Sequence, residues 1–188
     1  MNTFPSPCLL SMSRPNNPKN PGAMLSNNPV TIRLACQQDA KDLHTMVLAL
    51  AESTDEKNKV NSTADDFLRY GFGEQPSFQG LIAEQAGKSV GLSLFFYHFS
   101  SWQGKLGIYI QDLYVNPTCR GTGLGRQLII ETVRCAKQRG ADHLRLSVDS
   151  GNKNAQQFYR HLGMTWREQE QIYQADLQAL EHMIRVVD

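Results

Sequence analysis

Gln111-Asp112-Leu113-Tyr114-Val115-Asn116-Pro117-Thr118-Cys119-Arg120-Gly121-Thr122-Gly123-Leu124-Gly125-Arg126 carries the chain from an apolar strand into a helix through a turn with glycine at alternate positions. Glycines at 121, 123 and 125 let the backbone come close to a ligand. Amides at the start of the following helix meet the positive end of its dipole, so the segment reads as a seat for an anion such as phosphate. A nucleotide P-loop requires Gly-Lys followed by Ser or Thr, whereas Gly125 is followed by Arg126-Gln127. A dinucleotide turn requires G-x-G-x-x-G on an early βαβ unit, and these glycines come after several strands. ATP and NAD are both disfavoured.

Outward from this turn the pattern reads in both directions. Downstream, Leu124, Leu128, Ile129, Val133 and Ala136 recur at helical spacing, and Gly140 ends that helix. A strand over His143 to Val148, a short helix from Asn154 to Leu162 and a strand region from Trp166 to Tyr173 follow. Upstream, Ile108 to Val115 is a strand entered through the turn Trp102-Gln103-Gly104-Lys105. Before it, Leu81 to Gln85 and Val90 to Phe99 form a hairpin about Gly87, with Val90, Leu92, Leu94 and Phe96 on one face. Earlier still, the run Pro29 to Leu34 alternates as a half-buried strand. Asp39 offers an N-cap to a helix through Leu43, Met46, Val47 and Leu50, and a second helix runs from Thr63 to Tyr70. Thr63 and Asp66 make a capping box there, and Gly71 suits the left-handed stop. Strands grouped early and then alternating with helices imply an α/β (α+β) fold with a mixed sheet and helices packed on it.

The 188 residues, 40% apolar and 20% charged, suit one soluble domain. That domain is expected over 30 to 188. Residues 1 to 29 hold Pro5, Pro7, Pro15, Pro18, Pro21 and Pro29 with six asparagines, among them Asn17, Asn20, Asn27 and Asn28, a composition that buries little and reads as a flexible tail. Met12 and Met24 both precede the first strand, so a later start stays open. A net charge of +1 provides no field for nucleic acid. With no membrane-length apolar run and no signal-like segment, a cytoplasmic location is expected. The cysteines at 8, 36, 119 and 135 are scattered, with neither a C-x-x-C pair nor a histidine cluster, so reduced thiols and no metal are expected. Cys119 is read as a partly buried filler, although Arg120 and the glycines follow it.

Arg120-Gly121-Thr122-Gly123-Leu124-Gly125 resembles the R-G-x-G-x-G signature of the GNAT acetyltransferase superfamily. Asn152, Ala155, Phe158 and Tyr159, followed by Leu162-Gly163, resemble its N-x-x-A-x-x-F-Y…L-G pattern. The resemblance covers roughly 30 to 183. Within the superfamily the chain looks most like the diamine and polyamine acetyltransferases, on Gly71-Phe72-Gly73-Glu74 with Pro76, Phe95-Phe96-Tyr97, Trp102 with Gly104-Lys105, and Phe158-Tyr159. The resemblance implies a mixed, mostly antiparallel twisted sheet flanked by helices, a homodimer, and acetyl transfer from acetyl-CoA to a primary amine of a small molecule. A protein lysine or N-terminal acetyltransferase and a non-catalytic acyl-CoA-binding module are the alternatives. It also implies that Arg120, Gly121, Thr122, Gly123, Leu124, Gly125 and Arg126 hold the pyrophosphate. Leu113, Tyr114 and Val115 would line the thioester and pantetheine, and Asn152 and Arg160 the CoA arm. A helix cap for Asn152 and a solvated charge for Arg160 are competing roles.

Acetyl transfer needs a neutral amine, donors for an oxyanion and an acid for the leaving thiolate. By the resemblance Tyr159 is the acid; packing alone is the other role for that ring, and the one preferred for Phe158. Relatives carry Glu at position 111, where this chain has Gln111, an amide that cannot take the proton. Gln111 is therefore read as positioning a water, with desolvation or Glu52, Asp55 or Glu56 favouring the free amine. Asp112 replaces the missing carboxylate only if a bulge redirects it, because neighbouring strand residues face opposite sides. Trp102, with His98, and the acidic stretch holding Glu52 and Asp55 are expected to border the acceptor.

Overall fold

The computed structural model describes residues 28 to 185, so the tail expected over 1 to 29 lies almost wholly outside the described residues. The chain divides after Ser147 into two compact units.

The first unit is built on five strands: β1 (Thr31–Leu34), β2 (Gln79–Gln85), β3 (Lys88–Ser100), β4 (Lys105–Val115) and β5 (His143–Leu146). They lie in the order β1-β2-β3-β4-β5; the first three pairings are antiparallel and β4 with β5 is parallel. The mixed sheet expected from the element order is thus present, with β5 two residues shorter than predicted. Ala86 and Gly87, both with positive φ, make the tight β2–β3 turn.

Helices α1 (Ala40–Ser53) and α2 (Ala64–Phe72) precede the hairpin, and α3 (Leu124–Gln138) follows the glycine turn. Leu43 and Met46 of α1 and Phe67 of α2 bury against Ile82, Leu92, Leu94 and Tyr114 of one sheet face. On the other face α3 lays Leu128 against the backbone at Gly91, and the buried Thr132 donates to Ser93 Oγ at 2.9 Å. Thr132, not Val133, is therefore the fully buried residue of that turn of α3. A hydroxyl is tolerated there because it also finds the Leu128 carbonyl at 2.8 Å. Gly140 closes α3 at φ 84°, its amide reaching Lys137 O while Ala141 reaches Ala136 O.

Two local expectations are corrected. Gly71 does not stop α2, which runs on to Phe72 and is capped at Gly73; the Phe78 ring lies so close to Gly71 that a Cβ would come within 2.7 Å of it. Asp39 stands at the N-cap of α1 without capping it, because its carboxylate takes the Arg33 guanidinium and the Cys36 amide instead. Phe96 keeps the face of Leu92 and Leu94, as the alternation predicts, but is only half-buried there and stacks on Tyr109 at 5.2 Å, while Phe95 on the opposite face is fully buried.

The second unit contains α4 (Lys153–His161) and α5 (Leu177–Arg185). Residues 166 to 173 are not a strand: the polar run from Arg167 to Gln171 gives no face to bury, and Trp166, Ile172 and Tyr173 are exposed. The apolar spacing of Leu177, Leu180 and Ile184 instead makes α5, an element absent from the sequence reading.

Candidate functional site

The strand-to-helix turn leaves β4 through a short 3-10 turn, Pro117–Cys119, nucleated by Asn116 Oδ1 accepting from the Thr118 amide. Thr122 Oγ donates to Cys119 O at 2.7 Å, and Arg120 Nε donates to Val115 O at 3.1 Å, which ties the turn to the end of the strand. Gly121 and Gly123 have φ of 76° and 88°, a region costly for residues with a Cβ. Around both, the space a Cβ would take is empty to 4 Å. Gly123 is the N-cap of α3 and provides no side chain to its first-turn amides. Exposed Arg126 stands in that first turn and adds positive charge. The result is an exposed, positively polarised turn with bare backbone, suited to an anion's oxygens.

On β4 just before this turn the ladder is broken. Leu92 pairs with Tyr114 and Leu94 with Asp112, but the next pair is Phe95 with Ile110, so Gln111 is an extra residue in a β-bulge. Directly opposed residues share a sheet face. Asp112 therefore lies on the face of Leu94, which Gln111 would occupy in an unbroken ladder. Gln111 is exposed and Asp112 half-buried; burial raises the Asp112 carboxyl above the ordinary aspartate range. Strand β5 pairs with β4 only from Gly107 to Ile110. From Gln111 to Val115 that edge of β4 has no strand partner among the described residues, leaving backbone groups there for an extended ligand.

The remaining candidates of this unit lie apart. Glu52 and Glu56, at and beyond the end of α1, are exposed and ion-paired with Lys57 and Lys59 respectively, and Asp55 is exposed with φ 59°. Trp102 is almost wholly exposed in the β3–β4 turn. Strand geometry separates Lys105, where that turn enters β4, from Gln111 by about 20 Å. The structure does not bring Trp102 beside Gln111. His98 packs on His143 with ring centres 4.9 Å apart, also toward the Trp102 end of the sheet. Among the described residues no cluster of three or more His, Cys, Asp or Glu is placed to hold a metal, and no helix is long and apolar enough to cross a membrane.

In the second unit Asn152 caps α4, its Oδ1 accepting from the Ala155 amide at 3.0 Å. Phe158 and Tyr159 meet edge to face at 5.1 Å. Burial pushes the Tyr159 phenol up to about 12, so it keeps its proton through neutral and mildly alkaline pH. Arg160 is exposed in the last turn of α4. No sequence signal announced the bulge at Gln111, because a bulge is a property of two paired strands.

The acetyltransferase (GNAT) family model matches residues 45 to 164, a stretch that crosses the boundary between the two units. A thialysine N-epsilon-acetyltransferase of Mus musculus is 34% identical over 140 residues, covering 70% of this chain and 82% of that protein. A human spermidine/spermine N(1)-acetyltransferase-like protein is 33% identical over 105 residues, which is 52% of this chain and 15% of the other. Among solved structures, an aminoglycoside acetyltransferase from an uncultured soil metagenomic sample superposes with a TM-score of 0.68. It covers 79% of this chain and 96% of its own at 20% identity, a likeness of fold alone.

Proposed function

The chain belongs to the acetyltransferase (GNAT) family and is an N-acetyltransferase, and on that premise we propose that it moves the acetyl group of acetyl-CoA to a primary amine of a small, lysine-like or diamine molecule. The observation that carries this reading is the turn at 120 to 126. It offers bare amides at Gly121 and Gly123, an α3 N-terminus without a side-chain cap, and Arg120 and Arg126 for a pyrophosphate. In this reading Leu113, Tyr114 and Val115 on the free edge of β4 hold the pantetheine and thioester through backbone groups, and Thr122, Leu124 and Gly125 complete the phosphate seat. Asn152 and Arg160 serve the CoA arm. Gln111 orients a water, and Glu52 and Asp55 attract the acceptor's positive charge. Trp102, about 20 Å of strand away from Gln111, meets only the far end of a long acceptor.

The amine attacks the thioester carbonyl carbon, the C–S bond breaks, and the thiolate takes the proton of Tyr159 while the phenol takes one from the new ammonium centre. The single acetyltransferase domain is read as 30 to 188. A homodimer in the cytoplasm completes the proposal. It is supported by the exposed apolar side chains of Trp166, Ile172, Tyr173, Leu177 and Ile184, which suit a protein surface, and by the free thiols of Cys36, Cys119 and Cys135, which suit a reducing compartment.

The test is CoA-thiol release from acetyl-CoA with thialysine, lysine, short diamines, spermidine, aminoglycosides and lysine peptides. Release with one small-amine class fixes the acceptor, peptide-only release moves the acceptor to protein, and acetyl-CoA binding without release leaves a binding module. Tyr159→Phe is expected to lower kcat by about 10²-fold or more with acetyl-CoA affinity kept; unchanged turnover removes Tyr159 from the mechanism.

A further inference from the structure

Gln111 leaves the reaction without a base at the strand position expected to supply one, and the bulge shows where a carboxylate has gone. In an unbroken ladder the residue opposite Leu94 would be 111; in this chain it is Asp112. Asp112 thereby shares its face with Tyr114, across from Leu92, and with Tyr109, across from Phe96. It stands where β4 loses β5 as a neighbour and before the strand enters the glycine turn.

Its surroundings suit a proton acceptor. The titratable groups on this face of β3 and β4 are Tyr109, Tyr114 and, further along, His98 of β3 and Lys105 of β4. Helix α1 brings Leu43 and Met46, with Asp42 held by Ser89 Oγ at 2.6 Å, and α2 brings Phe67. Tyr109 gives its hydroxyl proton to Ser147 Oγ at 2.7 Å, and no Lys, Arg or hydroxyl among the described residues bonds Asp112. An unpaired, half-buried carboxylate is costly to the fold, and such groups concentrate at sites of chemistry. The carboxylates of Glu52 and Glu56 differ on both counts, being exposed and ion-paired with lysines.

Resting on the acetyltransferase reading, we propose that Asp112, turned by the Gln111 bulge onto the face of Leu94, is the general base that removes a proton from the acceptor ammonium. The carboxylate takes that proton directly or across one water, leaving a neutral amine and a protonated Asp112. The amine lone pair then forms the C–N bond, the C–S bond breaks to free CoA, and Asp112 releases its proton to solvent before the next turnover. Gln111, the inserted residue, orients the water or the acceptor and carries no proton.

The experiment is kcat/KM for the acceptor across pH 6.5 to 10 for the wild type, Asp112→Asn and Asp112→Glu. Melting temperature and acetyl-CoA affinity are measured alongside. Asp112→Asn is expected to lose about 10²- to 10⁴-fold near neutral pH. That loss narrows steadily toward pH 10, where free amine, with an ordinary pKa of about 10.4, becomes abundant. Asp112→Glu is expected to recover part of the rate. Acetyl-CoA affinity is expected to hold, and the melting temperature to hold or rise, since an unpaired buried charge is removed. Wild-type activity with an unchanged rate and pH profile in Asp112→Asn overturns the role of Asp112 alone. So does a loss that is uniform with pH. Absence of wild-type turnover with every amine overturns the acetyltransferase reading first, and this inference with it.

Discussion

The two ends of β4 use glycine in opposite ways. At the end that enters α3, Gly121 and Gly123 sit at positive φ with nothing within 4 Å of the missing Cβ atoms. At the other end Gly107 faces the His143 ring, and a Cβ there would lie 2.3 Å from Nε2. That ring is pinned, its Nδ1 2.8 Å from Asp142 Oδ1 and its face against the His98 ring, while Asp142 also takes Lys105 Nζ at 2.8 Å. Open space at Gly121 and Gly123 leaves their backbone bare; filled space at Gly107 is room taken by the chain itself. One strand thus leads into an open turn at one end and has a packing end at the other, and only contacts distinguish them.

Substitution at the two ends is the sharpest way to break this contrast. Gly123→Asp places a carboxylate at the anion seat in a residue type that tolerates left-handed backbone better than most. Acetyl-CoA affinity by calorimetry is expected to fall about 10- to 100-fold, each tenfold being about 1.4 kcal/mol. Gly123→Asn, of the same shape without the charge, is expected to lose markedly less. Equal losses in both would trace the effect to bulk and weaken the anion reading.

Gly107→Ala should do the reverse, leaving acetyl-CoA affinity per folded molecule alone while forcing His143 off Asp142 and His98. Overpacking of this kind costs about 1–3 kcal/mol, read as a melting temperature lower by roughly 3–10 °C for a chain of this size. A Gly107→Ala protein as stable as the wild type would show the packing end to be loose.

The smallest expected effect is one of pH at the packing end. Burial, then the neighbouring His143 and Arg145, lowers the His98 pKa from its usual 6.5, and its Nε2 is buried without a partner. The folded state therefore favours neutral His98. Its contribution is complete above pH of about 6.5, where the unfolded histidine is also neutral, and is lost as pH falls through the lower folded value. Melting temperatures at pH 7.5 and 5 are expected to differ less in His98→Gln than in the wild type. An identical acid loss in both would place the sensitivity at another group, and not at Asp39. The Arg33 guanidinium holds that carboxyl down to about 2, so its contribution persists above the unfolded pKa and fades only as pH falls toward 2.

Much of the site was legible because glycine spacing, helix capping and strand alternation are local. Gly121 and Gly123 at positive φ, the Thr63–Asp66 capping box and Asn152 at the start of α4 follow from residues within a few positions of one another. The errors fall where a distant partner decides. Gly71 reads as a helix stop until the Phe78 ring is seen against it, and Val133 as core until Ser93 is seen to bond Thr132.

By itself the sequence determined the element order from β1 to α4, the glycine turn after β4 and the glutamine at 111, since each is written in neighbouring residues. Only the tertiary structure decided which side of the sheet each residue of β4 serves. Side-chain direction in a strand is set by register against a partner, and one inserted residue reverses it for all that follow. The pairing of Leu94 with Asp112, followed by Phe95 with Ile110, is that insertion. It turns Asp112 onto the face of Leu94 and Tyr114, which alternation along β4 alone would not have given it.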